Sequence, residues 1–90
     1  MDYEWDEAKA KGNLEKHGVS FEEASTVFAD PLYIDFYDPE HSAEEHRYLI
    51  IGTSGSGRLL IVSYTELDDL VRLISARELT SAERKTYEEG

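Results

Sequence analysis

The sequence predicts an α+β fold: an antiparallel β-sheet of about four strands running as a meander, with two helices before it and one after, over a single domain spanning residues 1–90. Three observations carry this. Two capped helical stretches open the chain, runs rich in β-branched and aromatic residues follow with tight turns between them, and a second capping box opens a polar helix at the end. Strands joined by tight turns pair as antiparallel neighbours, with the helices covering one face and the other left more open.

Tyr3-Glu4-Trp5 suits a short edge strand. Asp6 then serves as N-cap for a helix from Glu7 to His17 that stops at Gly18, with a thin apolar stripe of Trp5, Ala8, Ala10 and Leu14 and with Lys9, Lys11 and Lys16 read as solvated. Ser20 with Glu23 three residues on forms a capping box for a second helix, whose Phe21, Ala24, Val27 and Phe28 share one face, and Asp30-Pro31 ends it. Phe21 and Phe28 are expected in the core. Leu32 to Tyr37 reads as a strand and Asp38 to Glu45 as an exposed loop holding His41. His46–Thr53 and Arg58–Glu66 form a hairpin about Ser54-Gly55-Ser56-Gly57. A phosphate-cradling reading of that turn fails for want of a following helix N-terminus. Asp68-Asp69 turns the chain into a last strand, Leu70 to Glu78, and Thr80 with Glu83 caps a helix reaching about Glu89.

Composition narrows the function classes. An apolar content of 40% suits a packed globule with a modest core that a partner or oligomerisation could supplement. There is no cysteine, so disulfides and thiolate metal sites are excluded, and no cofactor is expected. The acidic first twenty residues argue against a signal peptide and no apolar run approaches the ~18 residues of a membrane span, so a cytoplasmic location is expected. The net charge of −11 opposes tight nucleic-acid binding by the molecule as a whole and favours a basic partner.

Against that charge, Arg72 and Arg77 stand out within one apolar strand. If Thr53 pairs with Arg58 across the first hairpin, Arg47 lies opposite Tyr64, and alternation places Arg47, Arg58, Tyr64 and Glu66 on one face. A two-residue Asp68-Asp69 loop opposes Tyr64 to Leu73 and aligns Arg77 with Arg58, and a loop one residue different aligns Arg72 instead. Five residues apart, the two arginines fall on opposite faces of an unbroken strand, unless a bulge near Glu66 or Ser75 unites them.

The bland reading is that these arginines pair with carboxylates such as Glu44, Glu45, Glu66 or Glu78. The chemical reading is a phosphate-gripping face, because the planar guanidinium fork matches phosphate oxygens. On such a face RNA transesterification needs a base for the 2′-hydroxyl and an acid for the leaving 5′ oxygen, for which Glu66, His41 and Tyr64 are the candidates. His41 and His46 among Glu44 and Glu45 lack a metal-ligand spacing, so no metal is expected.

The segments Asn13-Leu-Glu-Lys-His17-Gly18-Val-Ser-Phe21-Glu-Glu-Ala24, Val27-Phe28-Ala-Asp30-Pro31, Arg47-Tyr48, Gly57-Arg58-Leu-Leu, Tyr64-Thr65-Glu66 and Arg72-Leu-Ile-Ser75-Ala76-Arg77, with Glu83-Arg84 and Tyr87-Glu88, closely resemble the BrnT toxins of type II toxin–antitoxin systems. The resemblance covers nearly the whole chain. It implies a RelE-like ribonuclease fold, metal-independent RNA cleavage that inhibits translation, and neutralisation by a DNA-binding BrnA-like antitoxin, in an assembly that can pair a toxin homodimer within a heterotetramer. Arg47, Arg58, Arg72 and Arg77 match the pattern and would bind RNA phosphate and stabilise the transition state, with His41 and Glu66 as acid and base and Tyr64 beside them. The chain carries fewer arginines than such toxins around Leu67-Asp68-Asp69 and Ser81-Ala82. The alternative is a catalytically weak interaction module whose acidic surface binds a basic partner.

Overall fold

A computed structural model of the chain describes residues 2–41, 43 and 45–89. The expected loop glutamate Glu44 lies outside the described residues. Five strands, β1 (Asp2–Glu4), β2 (Ile34–Tyr37), β3 (Tyr48–Thr53), β4 (Leu59–Leu67) and β5 (Leu70–Glu78), form one sheet in the order β1-β5-β4-β3-β2. The helices are α1 (Glu7–His17), α2 (Phe21–Ser25) and α3 (Ser81–Glu89).

The β2–β3–β4–β5 part is the expected antiparallel meander, but β1 joins as a fifth strand, parallel to β5, with Asp2 opposite Leu70 and Glu4 opposite Arg72. The sheet is therefore mixed. Nothing in a three-residue strand reveals its partner, which depends on where α1 and α2 return the chain.

The helix-facing side of the sheet is the core. Ile50, Leu60, Val62, Tyr64, Val71, Leu73 and Ala76 pack against Val19, Phe21, Ala24 and Val27, all buried. Phe21 is fully buried, whereas Phe28 packs at the core margin, edge-on to Tyr64 and tilted against Tyr3. The second helix is shorter than its periodicity suggests. Ser25 and Thr26 donate their hydroxyls to the carbonyls of Glu22 and Glu23, and from Thr26 the chain tightens into a 3₁₀ turn, Thr26–Ala29.

The face of α1 also differs from its apolar stripe. Leu14 is 51% exposed, and the residue turned inward is Asn13, which donates to the carbonyls of Val19 and Ala76 and accepts from the Ala76 amide. Among the described residues no strand pairs with the outer side of β5 beyond Arg72, so the Asn13 amide takes the place of a neighbouring strand for Ala76. Ala10, Asn13 and His17, three and four residues apart, are the more protected positions along this helix.

Candidate active site

Register decides which side chains meet. The first hairpin closes one residue earlier than its composition suggests: at the mouth of a three-residue loop the Ser54 amide donates to the Arg58 carbonyl, the Arg58 amide donates to the Ser54 hydroxyl and the Gly57 amide to the Ser54 carbonyl, and Gly57 takes the left-handed conformation at φ 87°. Thr53 consequently faces Leu59, and Tyr48, not Arg47, faces Tyr64. Because side chains alternate, this one-residue difference moves Arg47 to the opposite face from Tyr64.

The expected group of Arg47, Arg58, Tyr64 and Glu66 is therefore divided. Tyr64 is 4% exposed on the helix-facing side, where its phenol donates to Asp35 at 3.3 Å, and burial, followed by the Asp35 charge, raises its pKa. Glu66 shares that side and lies beside the same small cleft as Asp35 and Tyr64. Arg58 also points toward the helices. Its guanidinium grips both Glu23 carboxylate oxygens and donates to the Gly18 carbonyl at 3.0 Å, with Glu78 at 3.6 Å.

Glu23 is the hub of this contact. Besides Arg58 it accepts the Ser54 and Ser56 hydroxyls, while the Gly55 amide donates to Thr26. The hydrogen bond from Arg58, assisted by the serines, holds its pKa at about 2 against an ordinary 4.5. Only half of the first capping box forms, since Ser20 caps the Glu23 amide while the Glu23 side chain is diverted to the hairpin. The glycine-serine turn thus spends its donors on protein groups.

On β5 a bulge is present, beside Ser75. Tyr64 faces Leu73 but Ser63 faces Ser75, leaving Ile74 as the extra residue. Arg72 then pairs with Thr65 and Arg77 with Ile61, two positions on the same face of β4. Arg72 and Arg77 share the open face, and Arg47 joins them there.

An open-face concavity of about 370 Å³ gathers the chemistry. Arg47, Arg77, His41, Asp38 and His17 line it, with Ser63 and Ser75 between them and Leu49, Ile61 and Ile74 as its apolar part. His41 is brought in by a 3₁₀ turn, Pro39–His41, and its Nδ1 lies 2.8 Å from the Asp38 carboxylate, leaving Nε2 for other partners. Arg72 lies outside the concavity, 3.9 Å from Glu4.

Arg77 is held in a fork: its two terminal nitrogens donate to the two oxygens of Glu83 at 2.7 and 3.0 Å. Glu83 in turn accepts the Thr80 amide and donates its own to the Thr80 hydroxyl, completing the second capping box. The Arg77 hydrogen bond holds the Glu83 pKa at about 2. Together with a bond from the Tyr87 phenol to the Leu32 carbonyl, this secures α3, which buries no residue of its own. Carboxylates near the arginines were expected; Glu45 lies 3.8 Å from Arg47 and Glu78 is near Arg58, but Glu4, Glu23 and Glu83 come from other elements.

His17 was not among the residues singled out by sequence. Its signal was only the motif position Lys16-His17-Gly18, read there as a helix end. Among the described residues no group of three His, Cys, Asp or Glu side chains is gathered as a metal site would need, and no helix is long and apolar enough to cross a membrane.

Comparison with known proteins agrees with this architecture. The chain is similar in fold to the crystal structure of the Brucella abortus ribonuclease toxin BrnT, with a TM-score of 0.66 at 23% identity over 90% of this chain and 99% of that one. No curated protein sequence matches the chain. The sequence profile of a family described as the ribonuclease toxin, BrnT, of type II toxin–antitoxin systems matches residues 5–83. The chain belongs to the BrnT ribonuclease toxin family.

Proposed function

We propose that the chain is a metal-independent endoribonuclease toxin that cleaves RNA in the open-face concavity, inhibits translation, and is neutralised by a BrnA-like DNA-binding antitoxin, with a toxin homodimer inside the heterotetrameric complex. The supporting observation is the convergence of Arg47 and Arg77 with the His41–Asp38 pair in one concavity of a protein otherwise dominated by acidic residues. The arginines would grip the scissile phosphate and offset charge on the phosphorane, and Arg72 on the same face would hold a neighbouring phosphate. His41 would move the proton of the 2′-hydroxyl.

The site assignment changes accordingly. Arg58, Tyr64 and Glu66 occupy the helix-facing side, so their proposed roles become support of the fold and not contact with the reacting phosphate. RNA incubated with the purified chain at low salt and with a chelator present tests the reading: cleavage supports it, and intact RNA together with harmless expression in the absence of antitoxin defeats it.

A second reading, a catalytically weak interaction module for a basic partner, is favoured by the carboxylates that already occupy Arg77 and Arg58 and by the net charge of −11. It expects tight partner binding without RNA cleavage, and loss of that binding when Asp68 and Asp69 are reversed to lysine.

A further inference from the structure

We infer that His17 is a second proton-transfer residue, the general acid that completes the chemistry of the concavity; this rests on the ribonuclease reading above. The argument begins with what the reaction requires. Cleavage by the 2′-hydroxyl forms an O2′–P bond and breaks the P–O5′ bond, so one group must accept the 2′ proton and another must deliver a proton to the departing 5′ oxygen. Tyr64 and Glu66 are on the other side of the sheet. Among the described residues, the titratable groups lining the concavity besides the arginines are His17, His41 and Asp38. Asp38 is already hydrogen-bonded to His41.

The fold places His17 there deliberately. Asn13 fastens α1 to both backbone groups of Ala76, and His17 follows four residues later on the same side of the helix. It thereby lines the concavity beside Ser75, Ala76 and Arg77, while Asp38, His41 and Arg47 come from the segment between β2 and β3. Two imidazoles carried by separate elements thus share one concavity with Arg47 and Arg77.

Their roles follow from the Asp38 contact. A base becomes cationic as it takes the 2′ proton, and the Asp38 carboxylate at Nδ1 stabilises the His41 imidazolium as it forms. His17 is then the acid: its protonated ring gives a proton to the 5′ oxygen as the P–O5′ bond breaks, leaving a 2′,3′-cyclic phosphate and a 5′-hydroxyl end. The charged and titratable groups around it are Asp38, His41, Arg47 and Arg77 in the concavity, Lys16 on its own turn, and Arg58 with Glu23 at the adjoining Gly18 carbonyl.

The experiment compares the full chain with H17N, H17Q and H41N on an oligoribonucleotide containing one cleavable bond, and on the same oligonucleotide with sulfur replacing the 5′ bridging oxygen. Sulfur leaves without protonation, so the second substrate needs no general acid. H17N and H17Q should lower kcat on the oxygen substrate by roughly 10²–10⁴-fold with little change in KM, lose the alkaline limb of the pH–rate profile, and recover to within about tenfold of the parent on the sulfur substrate. H41N should lose the acidic limb and gain nothing from sulfur. If the parent cleaves RNA but the His17 variants keep the alkaline limb, or remain slow on the sulfur substrate while folded by circular dichroism, the assignment of His17 is overturned and the ribonuclease reading survives. If the parent cleaves neither substrate, both fall.

Discussion

Arg72 and Arg77 are five residues apart on one strand and yet share a face of the sheet, because Ile74 is an extra residue between the pairs Tyr64–Leu73 and Ser63–Ser75. An odd spacing in a regular strand separates side chains, and a bulge restores them to the same side. Without the bulge Arg77 would turn toward the core side and the concavity would lose one of the two arginines that line it among the described residues. Deleting Ile74 should therefore abolish RNA cleavage, and the circular dichroism spectrum will report whether the sheet survives the loss.

The arginines should respond differently to truncation. Arg47→Ala and Arg77→Ala should each lower kcat/KM for RNA by roughly 10²–10³-fold, as expected for a cation facing a phosphorane. Arg72→Ala should cost far less, since Arg72 lies outside the concavity. Arg58→Ala should instead lower the thermal midpoint, because it releases Glu23 and the Gly18 carbonyl. Paired cleavage assays and melting curves separate the two behaviours, and a normal melting temperature for Arg58→Ala would contradict its structural assignment.

Asn13 carries three hydrogen bonds to backbone groups of Val19 and Ala76. Asn13→Ala leaves those three groups buried without partners and should cost about 3 kcal/mol or more in denaturant unfolding, at ~1–3 kcal/mol for each unsatisfied buried group. Asn13→Asp should be worse near neutral pH, since a carboxylate would confront two carbonyl oxygens. Either change should also reduce cleavage through the displaced His17.

Gly52 sits where β3 passes closest to the turn after α2. A Cβ there would meet Val27 Cγ1 at 3.0 Å, Asp30 Oδ2 at 3.1 Å and Tyr33 Cβ at 3.2 Å. Asp30 cannot retreat cheaply, because its carboxylate accepts the amides of Leu32 and Thr53. Gly52→Ala should destabilise the fold by about 1–3 kcal/mol, the usual range for overpacking, as read from the urea midpoint.

Glu23 and Glu83 both have pKa values near 2 in the folded chain, lowered chiefly by hydrogen bonds from Arg58 and Arg77. A carboxyl depressed on folding contributes stability that is fully present above its unfolded value near 4.5 and is lost as the pH falls toward 2. Stability of the parent should therefore decline between about pH 4.5 and 2, and Glu23→Gln and Glu83→Gln should each flatten that decline. Urea unfolding across this pH range measures the slopes, and parallel curves for parent and variants would refute the linkage.

By itself the sequence determined the elements, the caps and the family. Ser20 and Thr80 start helices where a short acceptor precedes a helical pattern, Gly18 ends α1 in the left-handed conformation, and the Gly-Ser turn makes the hairpin, since each of these depends on a few adjacent residues. Tertiary structure alone decided which side chains meet. A three-residue loop in place of a four-residue one moved Arg47 away from Tyr64, the Ile74 bulge turned Arg77 to the face whose concavity Arg47 also lines, and the inward turn of Asn13 carried His17 to the same concavity. Pairing register and helix rotation are set by the packing of distant surfaces, so local composition marks the strands that hold a site without stating which of their two faces carries it.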